Sequence, residues 1–201
     1  MMKYMDQIHI DSEMSSEDIL RQNPELVAPQ EIVDELAILT VTYYGFDSKL
    51  HQGQLVVHKK ATADVMDFFT LAKEIEFPTE KVIPIAHTNY SWNDDISCED
   101  NNSSGYNFRY IAGTTRLSKH SLGLAFDINP MQNPYIVSNK DGEEIFRIPK
   151  NSTYDIKTRG TLHVDHPLVK LLTSRGWIWG GNWAIEGGKV DYQHFELPVE
   201  K

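Results

Sequence analysis

The chain lacks several features that would assign it to a class at once. Its 201 residues include one cysteine, Cys98, so neither an internal disulfide nor a cysteine-ligated metal site supports the fold. Basic residues form no sustained cluster and the formal net charge is -10, which argues against a nucleic-acid partner. No apolar run is long enough to span a membrane, and the acidic first twenty residues predict no signal peptide.

The composition is that of one folded domain. Hydrophobic residues make up 40% of the chain and aromatic residues 10%, enough for one substantial core but little for two. Residues 1–25 are polar and acidic, and we interpret them as an N-terminal arm. Residues 26–201 are then predicted to form a single domain.

The first half of the domain predicts helices and strands in alternation. Apolar residues recur at helical spacing in two segments, 30–44 and 61–75. Short runs of branched residues predict strands at 54–58 and 81–85. The stretch 89–107 is dense in Asn, Asp, Ser and Gly and is predicted to be a long loop, a feature that is often functional in compact domains.

The second half predicts strands that expose acidic and imidazole side chains on one face. Residues 122–128 alternate so that Asp127 lies opposite the apolar side, and 190–197 place His194 and Glu196 on a shared face. Between them we predict a hairpin turn at Asp141-Gly142 and a helix that begins at 165–167. The expected fold class is α+β, a small and mostly antiparallel sheet with the N-terminal helices on one face and a metal site on the other.

Two segments carry the chemistry. In Ser118-Lys-His-Ser-Leu-Gly-Leu-Ala-Phe-Asp127 a histidine and an aspartate stand seven apart, and Asp191-Tyr-Gln-His194 adds a second histidine with its own acid. Two neutral imidazoles and one carboxylate leave zinc with net positive charge and a fourth position for water, so we predict a catalytic zinc site. Residues three apart on a regular strand face opposite sides, and a turn or bulge across 191–193 is therefore expected.

These segments resemble the zinc peptidases of the VanX and VanY type, which include D-alanyl-D-alanine carboxypeptidases and the L-alanyl-D-glutamate endopeptidases of phage lysins. The resemblance covers roughly 52–197, includes the glycine- and tryptophan-rich stretch 176–183, and rests on paired motifs in the right order. The matching residues are Ser118, His120, Gly123, Ala125, Asp127, Asp191, His194, Phe195 and Glu196. The fold that it implies is the Hedgehog/DD-peptidase fold.

The resemblance also implies roles for individual residues. His120, Asp127 and His194 would be zinc ligands, and Asp191 would be the catalytic base. Arg109, upstream of the first histidine, is the best match for the residue that stabilises the oxyanion. Glu196 would orient a ligand histidine from behind or face solvent.

The implied substrate is the peptide part of bacterial peptidoglycan, which lies in the periplasm or cell wall. A D-Ala-D-Ala carboxypeptidase needs a cation for the terminal carboxylate, which Arg116 or Arg159 would supply, whereas an endopeptidase needs none. Ser118 and Trp179 are further candidate substrate contacts. The VanX branch carries Glu at the base position, and Asp191 is more similar to the endopeptidase branch. The sequence predicts no oligomeric state.

Other interpretations stay open at this stage. The chain could be a zinc-containing binding module without turnover, as in the Hedgehog signalling domain, or a structural zinc protein with a fourth protein ligand. Arg109 could form an ordinary salt bridge, and Asp191 could only orient a ligand. Tryptophans at strand spacing, which include Trp177 and Trp179, are often core residues. His163 and His166 are expected to cap a helix or support the site.

Overall fold

A computed structural model describes residues 8–183 and 188–198 as short strands and helices in alternation. The helices are α1 (Ser16–Ile19), α2 (Gln30–Val33), α3 (Thr62–Glu74), α4 (Asp94–Glu99) and α5 (Pro167–Ser174). The strands are β1 (His9–Ile10), β2 (Leu36–Tyr44), β3 (Leu50–His58), β4 (Lys81–Val82), β5 (Asn102–Ser103), β6 (Ala125–Asp127), β7 (Tyr135–Ser138), β8 (Glu144–Ile148), β9 (Ile178–Trp179), β10 (Lys189–Asp191) and β11 (His194–Glu196). Single 3-10 turns lie at Lys59–Ala61, Lys119–Leu122 and Gly180–Asn182.

The strands of the described ranges form several small sheets. Three sheets have three strands each, in the orders β1-β3-β2, β10-β7-β8 and β6-β11-β9, and β4 pairs with β5. Five of the seven strand pairs are antiparallel, and the other two, β1 with β3 and β4 with β5, are parallel. The predicted mixture of helices and small sheets is therefore confirmed. The prediction of one sheet is wrong, because short strands separated by long connections pair in separate groups.

Aromatic packing joins the longest helix to the sheet that carries the candidate site. Phe68 of α3 makes edge contacts with Phe126 of β6 and Phe195 of β11, at ring distances of 5.3 and 5.8 Å. All three side chains are fully buried. The polar residues that alternate with Phe126 and Phe195 on their strands must therefore face away from this core.

The prediction of a helix over 30–44 is wrong. The helix α2 ends at Val33, and residues 36–44 form the nine-residue strand β2, which pairs antiparallel with β3 along its whole length. This segment, Leu-Ala-Ile-Leu-Thr-Val-Thr-Tyr-Tyr, is rich in β-branched and aromatic side chains, which favour a pleated surface. Pairing with a distant strand therefore overrides the helical spacing of its apolar residues.

Other predicted elements agree more closely. Helix α3 and the hairpin β7–β8 are confirmed, and Gly142 in the hairpin turn has a φ of 81°. The predicted loop 89–107 instead contains α4, which Asn93 caps through a bond from the amide of Ile96. Helix α5 begins at Pro167 as expected, and its N-cap is His166, one of the two histidines expected to cap a helix or support the site. No helix among the described residues combines the length and apolar character of a membrane span.

Candidate metal centre

Two paired strands bring an aspartate and a histidine to one point. In the antiparallel pair β6–β11, His194 is directly opposite Asp127, and Phe195 is opposite Phe126. Because side chains alternate along a strand, the phenylalanines enter the core while Asp127 and His194 project together from the other face.

A tight 3-10 turn supplies the second histidine. His120 lies in the turn Lys119–Leu122, where Ser118 caps the start and accepts a hydrogen bond from the His120 amide. Gly123 ends the turn with a φ of 65°, and its carbonyl accepts a hydrogen bond from the His58 amide at 2.7 Å. A Cβ at Gly123 would lie 2.5 Å from the His58 nitrogen, so only glycine fits this contact.

The three side chains form a compact, buried cluster. Nε2 of His120 lies 3.1 Å from Nδ1 of His194 and 3.2 Å from Oδ2 of Asp127. Nδ1 of His194 lies 3.0 Å from Oδ1 of Asp127. Ligands bound to zinc in a tetrahedron at about 2.0–2.1 Å are about 3.3 Å apart, so this spacing suits a small divalent metal ion.

Hydrogen bonds on the far side of each ring fix which nitrogen faces the cluster. Nδ1 of His120 donates to the carbonyl of Gly105 at 2.7 Å, and Nε2 of His194 donates to Glu196 at 3.3 Å. The remaining lone pairs, on Nε2 of His120 and Nδ1 of His194, then point at the carboxylate of Asp127. That arrangement is repulsive without a cation and is what a metal ion requires of its ligands. The donor set fits a divalent metal.

The pKa values of the cluster without a metal also indicate a site for a cation. Burial raises the pKa of Asp127, but the charge of His120 and the hydrogen bonds to both histidines outweigh burial and hold it well below its usual range. Burial lowers the pKa of His194, but the hydrogen bonds to Asp127 and Glu196 outweigh burial and raise it to about 10. A proton is thus held at the position that a metal ion would take.

Asp191 ends β10, and a turn at 192–193 separates it from β11, so the predicted break between Asp191 and His194 is confirmed. Burial raises the pKa of Asp191 to about 7, although the charge of His194 lowers it. Its Oδ1 is buried, and no described residue forms a hydrogen bond with that atom. This carboxyl group is suited to exchange a proton near neutral pH.

Arg109 lies close to this site but is already paired. One terminal nitrogen of its guanidinium is 2.9 Å from Asp94 of α4. Burial lowers the pKa of Arg109, and the charges of Asp94 and then Asp127 raise it above its ordinary value. Nε of Arg109 is buried without a hydrogen-bond partner among the described residues, so one donor stays available.

The residues predicted as substrate contacts lie in different environments. Ser118 is buried and caps the turn that carries His120, while Arg116 is exposed in the loop before it. Trp179 is 2% exposed and donates from Nε1 to the carbonyl of Tyr192 at 2.8 Å, so contact with a substrate would require the surrounding chain to open. The half-buried Trp183 lies beside the centre, with its ring 5.3 Å from that of His194.

Sequence reasoning missed two partners in the centre. The Gly105 carbonyl holds His120, but any residue offers a carbonyl, so nothing in the sequence marks it. Asp94 pairs with Arg109, and its signal was only the acidic stretch in the predicted loop.

The fold and the centre together define a class, a mixed α/β protein with a buried His-Asp-His group able to hold a divalent metal ion. A family model described as D-alanyl-D-alanine carboxypeptidase matches residues 112–197. The match covers less than half of the chain but includes the three clustered residues and Asp191. No curated protein and no solved structure matches the chain.

Proposed function

We propose that this protein is a zinc-dependent peptidase that hydrolyses an amide bond in peptidoglycan stem peptides, as a D-alanyl-D-alanine carboxypeptidase does. The observation that carries the proposal is the convergence of His120 and Asp127 from one segment with His194 from a distant one, at a spacing suited to one metal ion. The family match supports the peptide substrate. We further propose that the fold is of the Hedgehog/DD-peptidase type.

Zinc is the metal that this donor set suits best, because two imidazoles and one carboxylate are the ligands of many hydrolytic zinc sites. His120 and Asp127 would hold it together with His194. Bound there, zinc would act as a Lewis acid, which polarises the scissile carbonyl and lowers the pKa of a water molecule.

The chain itself would handle the proton. We assign to Asp191 the role of accepting a proton from the attacking water and returning it to the nitrogen of the leaving amine. Its buried Oδ1, which has no hydrogen-bond partner among the described residues, supports this role, because that oxygen is free to accept a proton.

Arg109 would stabilise the negative charge that develops on the carbonyl oxygen. A fixed cation in a site with little water has its largest effect on such a charge. Its bond to Asp94 holds the guanidinium in place while Nε stays available among the described contacts. Glu196 would keep His194 in the required tautomer through the bond to Nε2.

An endopeptidase that cleaves the L-alanyl-D-glutamate bond is the second candidate. The observation in its favour is the aspartate at position 191, since this shorter carboxylate is similar to that of the endopeptidase branch. Incubation with purified wall peptides and mass spectrometry distinguishes the two. Free D-alanine supports the carboxypeptidase, and a new peptide with N-terminal D-glutamate supports the endopeptidase.

Two variants test catalysis itself. We expect Asp191→Asn to keep its zinc but to lose about a hundred- to ten-thousand-fold in turnover, because the proton acceptor is gone. His120→Ala should lose both zinc at this centre and activity. Zinc content and the rate of wall-peptide cleavage are measured side by side.

Equal zinc loss in the two variants would make Asp191 a ligand and contradict its role as base. A wild-type protein that binds zinc and wall peptides but cleaves none would instead support the non-catalytic binding module.

A further inference from the structure

A second group of histidines and carboxylates lies outside the matched region, at one edge of the sheet β1-β3-β2. In the parallel pair β1–β3, His9 is directly beside His51, and their rings are 4.8 Å apart. Asp11 follows two residues after His9, and its amide continues the pairing by donating to the Gln52 carbonyl at 2.8 Å. Residues two apart share a face, so the three side chains meet.

We propose that His9, Asp11 and His51 form a second site for zinc or a similar divalent cation. Nδ1 of His51 lies 2.9 Å from Oδ2 of Asp11, and Nε2 of His9 lies 3.5 Å from Oδ1 of Asp11. These distances bracket the separation of about 3.3 Å between neighbouring ligands of a tetrahedral zinc ion. Two imidazoles with one carboxylate suit zinc far better than calcium or magnesium, which prefer oxygen ligands alone.

Supporting hydrogen bonds orient two of the three ligands. Asp47, in the turn between β2 and β3, accepts from Nε2 of His51 at 3.1 Å. This bond places the proton of His51 on Nε2 and aims the Nδ1 lone pair at Asp11, as in the carboxylate–histidine–metal arrangement. The buried Tyr43 donates its hydroxyl to Oδ2 of Asp11 at 2.5 Å and fixes that carboxylate.

Exposure allows an ion to enter. The side chain of His9 is 65% exposed, whereas those of Asp11 and His51 are each 11% exposed. A metal here would join β1 to β3 and to the β2–β3 turn through Asp47. Its function is therefore structural, since it would fasten the two-residue strand β1 to the sheet.

A proton is the competing occupant. A doubly protonated His51 between Asp11 and Asp47 would satisfy the same two hydrogen bonds without any metal. The two alternatives differ in the number of ions that the protein binds.

Zinc counting on the full chain tests the proposal. After equilibrium dialysis against buffered zinc, elemental analysis should find two ions in the wild type and one in His9→Ala. One ion should remain in His120→Ala, and none in the double variant. Because this count separates the two sites, failure of the catalytic site would not imitate failure of this one. A wild-type count of one that His9→Ala leaves unchanged would overturn the proposal.

Two further variants keep the test sharp. His87→Ala removes a histidine outside both groups and should still bind two ions. Asp47→Asn should lower the affinity for the second ion by about ten- to a hundred-fold, because it removes the carboxylate that orients His51. Affinity is measured by chelator competition in the His120→Ala background, and circular dichroism checks the fold. Unchanged affinity in Asp47→Asn would contradict the assigned geometry.

Discussion

A single hydrogen bond to each histidine, His120 and His194, determines which ring nitrogen it would offer to a metal ion. His120 is set by a backbone carbonyl, which no side-chain substitution removes, and His194 is set by the carboxylate of Glu196. The bond between His194 and Glu196 can therefore be removed by a side-chain substitution. Zinc affinity should depend on it although Glu196 is not itself a proposed ligand.

We expect Glu196→Gln to weaken zinc binding at this centre by about ten- to a hundred-fold, because a neutral amide is a poorer partner for His194. At saturating zinc, most of the activity should return. Chelator competition gives the affinity, and it is best measured in the His9→Ala background. Glu74→Gln, at the exposed end of α3, is the matched control and should bind zinc as the wild type does. Equal affinity in the two variants would contradict the orienting role.

At the scale of single residues, the sequence predicts the candidate ligands that side-chain chemistry and spacing identify. His120, Asp127 and His194 were selected as candidate ligands, and they lie together in the structure. The Gly105 carbonyl could not be found in this way, since its function depends only on where the backbone passes. Trp179 is both a candidate substrate contact and a candidate core residue by sequence, because spacing alone does not distinguish a groove from a core; in the structure it is buried.

At the scale of elements, the turn that carries His120 depends on the closeness of Gly123 to β3. Gly123 and Gly113 both have a positive φ, but a Cβ would meet a backbone nitrogen only at Gly123, and at Gly113 it would meet open space. The two glycines therefore separate the cost of the backbone conformation from the cost of the contact.

We predict that Gly123→Ala lowers the free energy of unfolding by more than Gly113→Ala does. The conformational strain should cost about 1 kcal/mol in either variant, and the clash with His58 should add about 1–3 kcal/mol at Gly123. Urea unfolding of both variants measures the difference. Equal losses would show that the turn moves away from β3 freely.

The N-cap of α5 predicts a dependence on pH. His166 accepts the Leu168 amide on Nδ1, and burial, with the charge of His163, lowers its pKa to about 4. Because the unfolded chain binds this proton more tightly, the contribution of His166 is complete above about pH 6.5 and is lost as the pH falls towards 4.

In His166→Asn the cap acceptor is kept but the titration is removed. The loss of stability between about pH 7 and pH 5 should then shrink by about 1 kcal/mol, a value reduced for the partial exposure of the ring. Urea midpoints at the two pH values measure it, with His87→Asn as control. An unchanged pH dependence would show that His166 is not the responsible group.

The error over residues 30–44 also belongs to this scale. Residues such as Ile32, Val33, Leu36 and Leu39 recur at helical spacing, yet Leu36–Tyr44 becomes a strand. Nine cross-strand partners in β3 decide the outcome, and a local pattern cannot show whether such a partner exists. Where the partner follows through a short turn, as in β7–β8, the hairpin was predicted correctly.

At the scale of the whole molecule, the proposed zinc ion would connect β6, β11 and the turn before β6. Any ligand that binds only the folded chain stabilises it by an amount set by its concentration relative to its dissociation constant. At a free concentration a hundred times its dissociation constant, zinc would add about 2.7 kcal/mol to the free energy of unfolding.

Chelation should therefore lower the thermal midpoint by roughly 5–10 °C in a protein of this size. The measurement is differential scanning calorimetry with and without chelator, in the His9→Ala background so that only the centre at His120 contributes. His9→Ala/His120→Ala should show no shift. An equal thermal midpoint of His9→Ala with and without chelator would contradict zinc binding at His120, Asp127 and His194.

The register of β6 and β11 has a consequence for how the protein can vary. Asp127 and His194 are 67 positions apart in sequence, yet they are direct neighbours in the ladder. The exposed tip of the hairpin β7–β8, at residues 140–143 within that connection, can then be lengthened or exchanged without displacing either side chain. Sequence changes in this tip would therefore leave the positions of Asp127 and His194 unchanged.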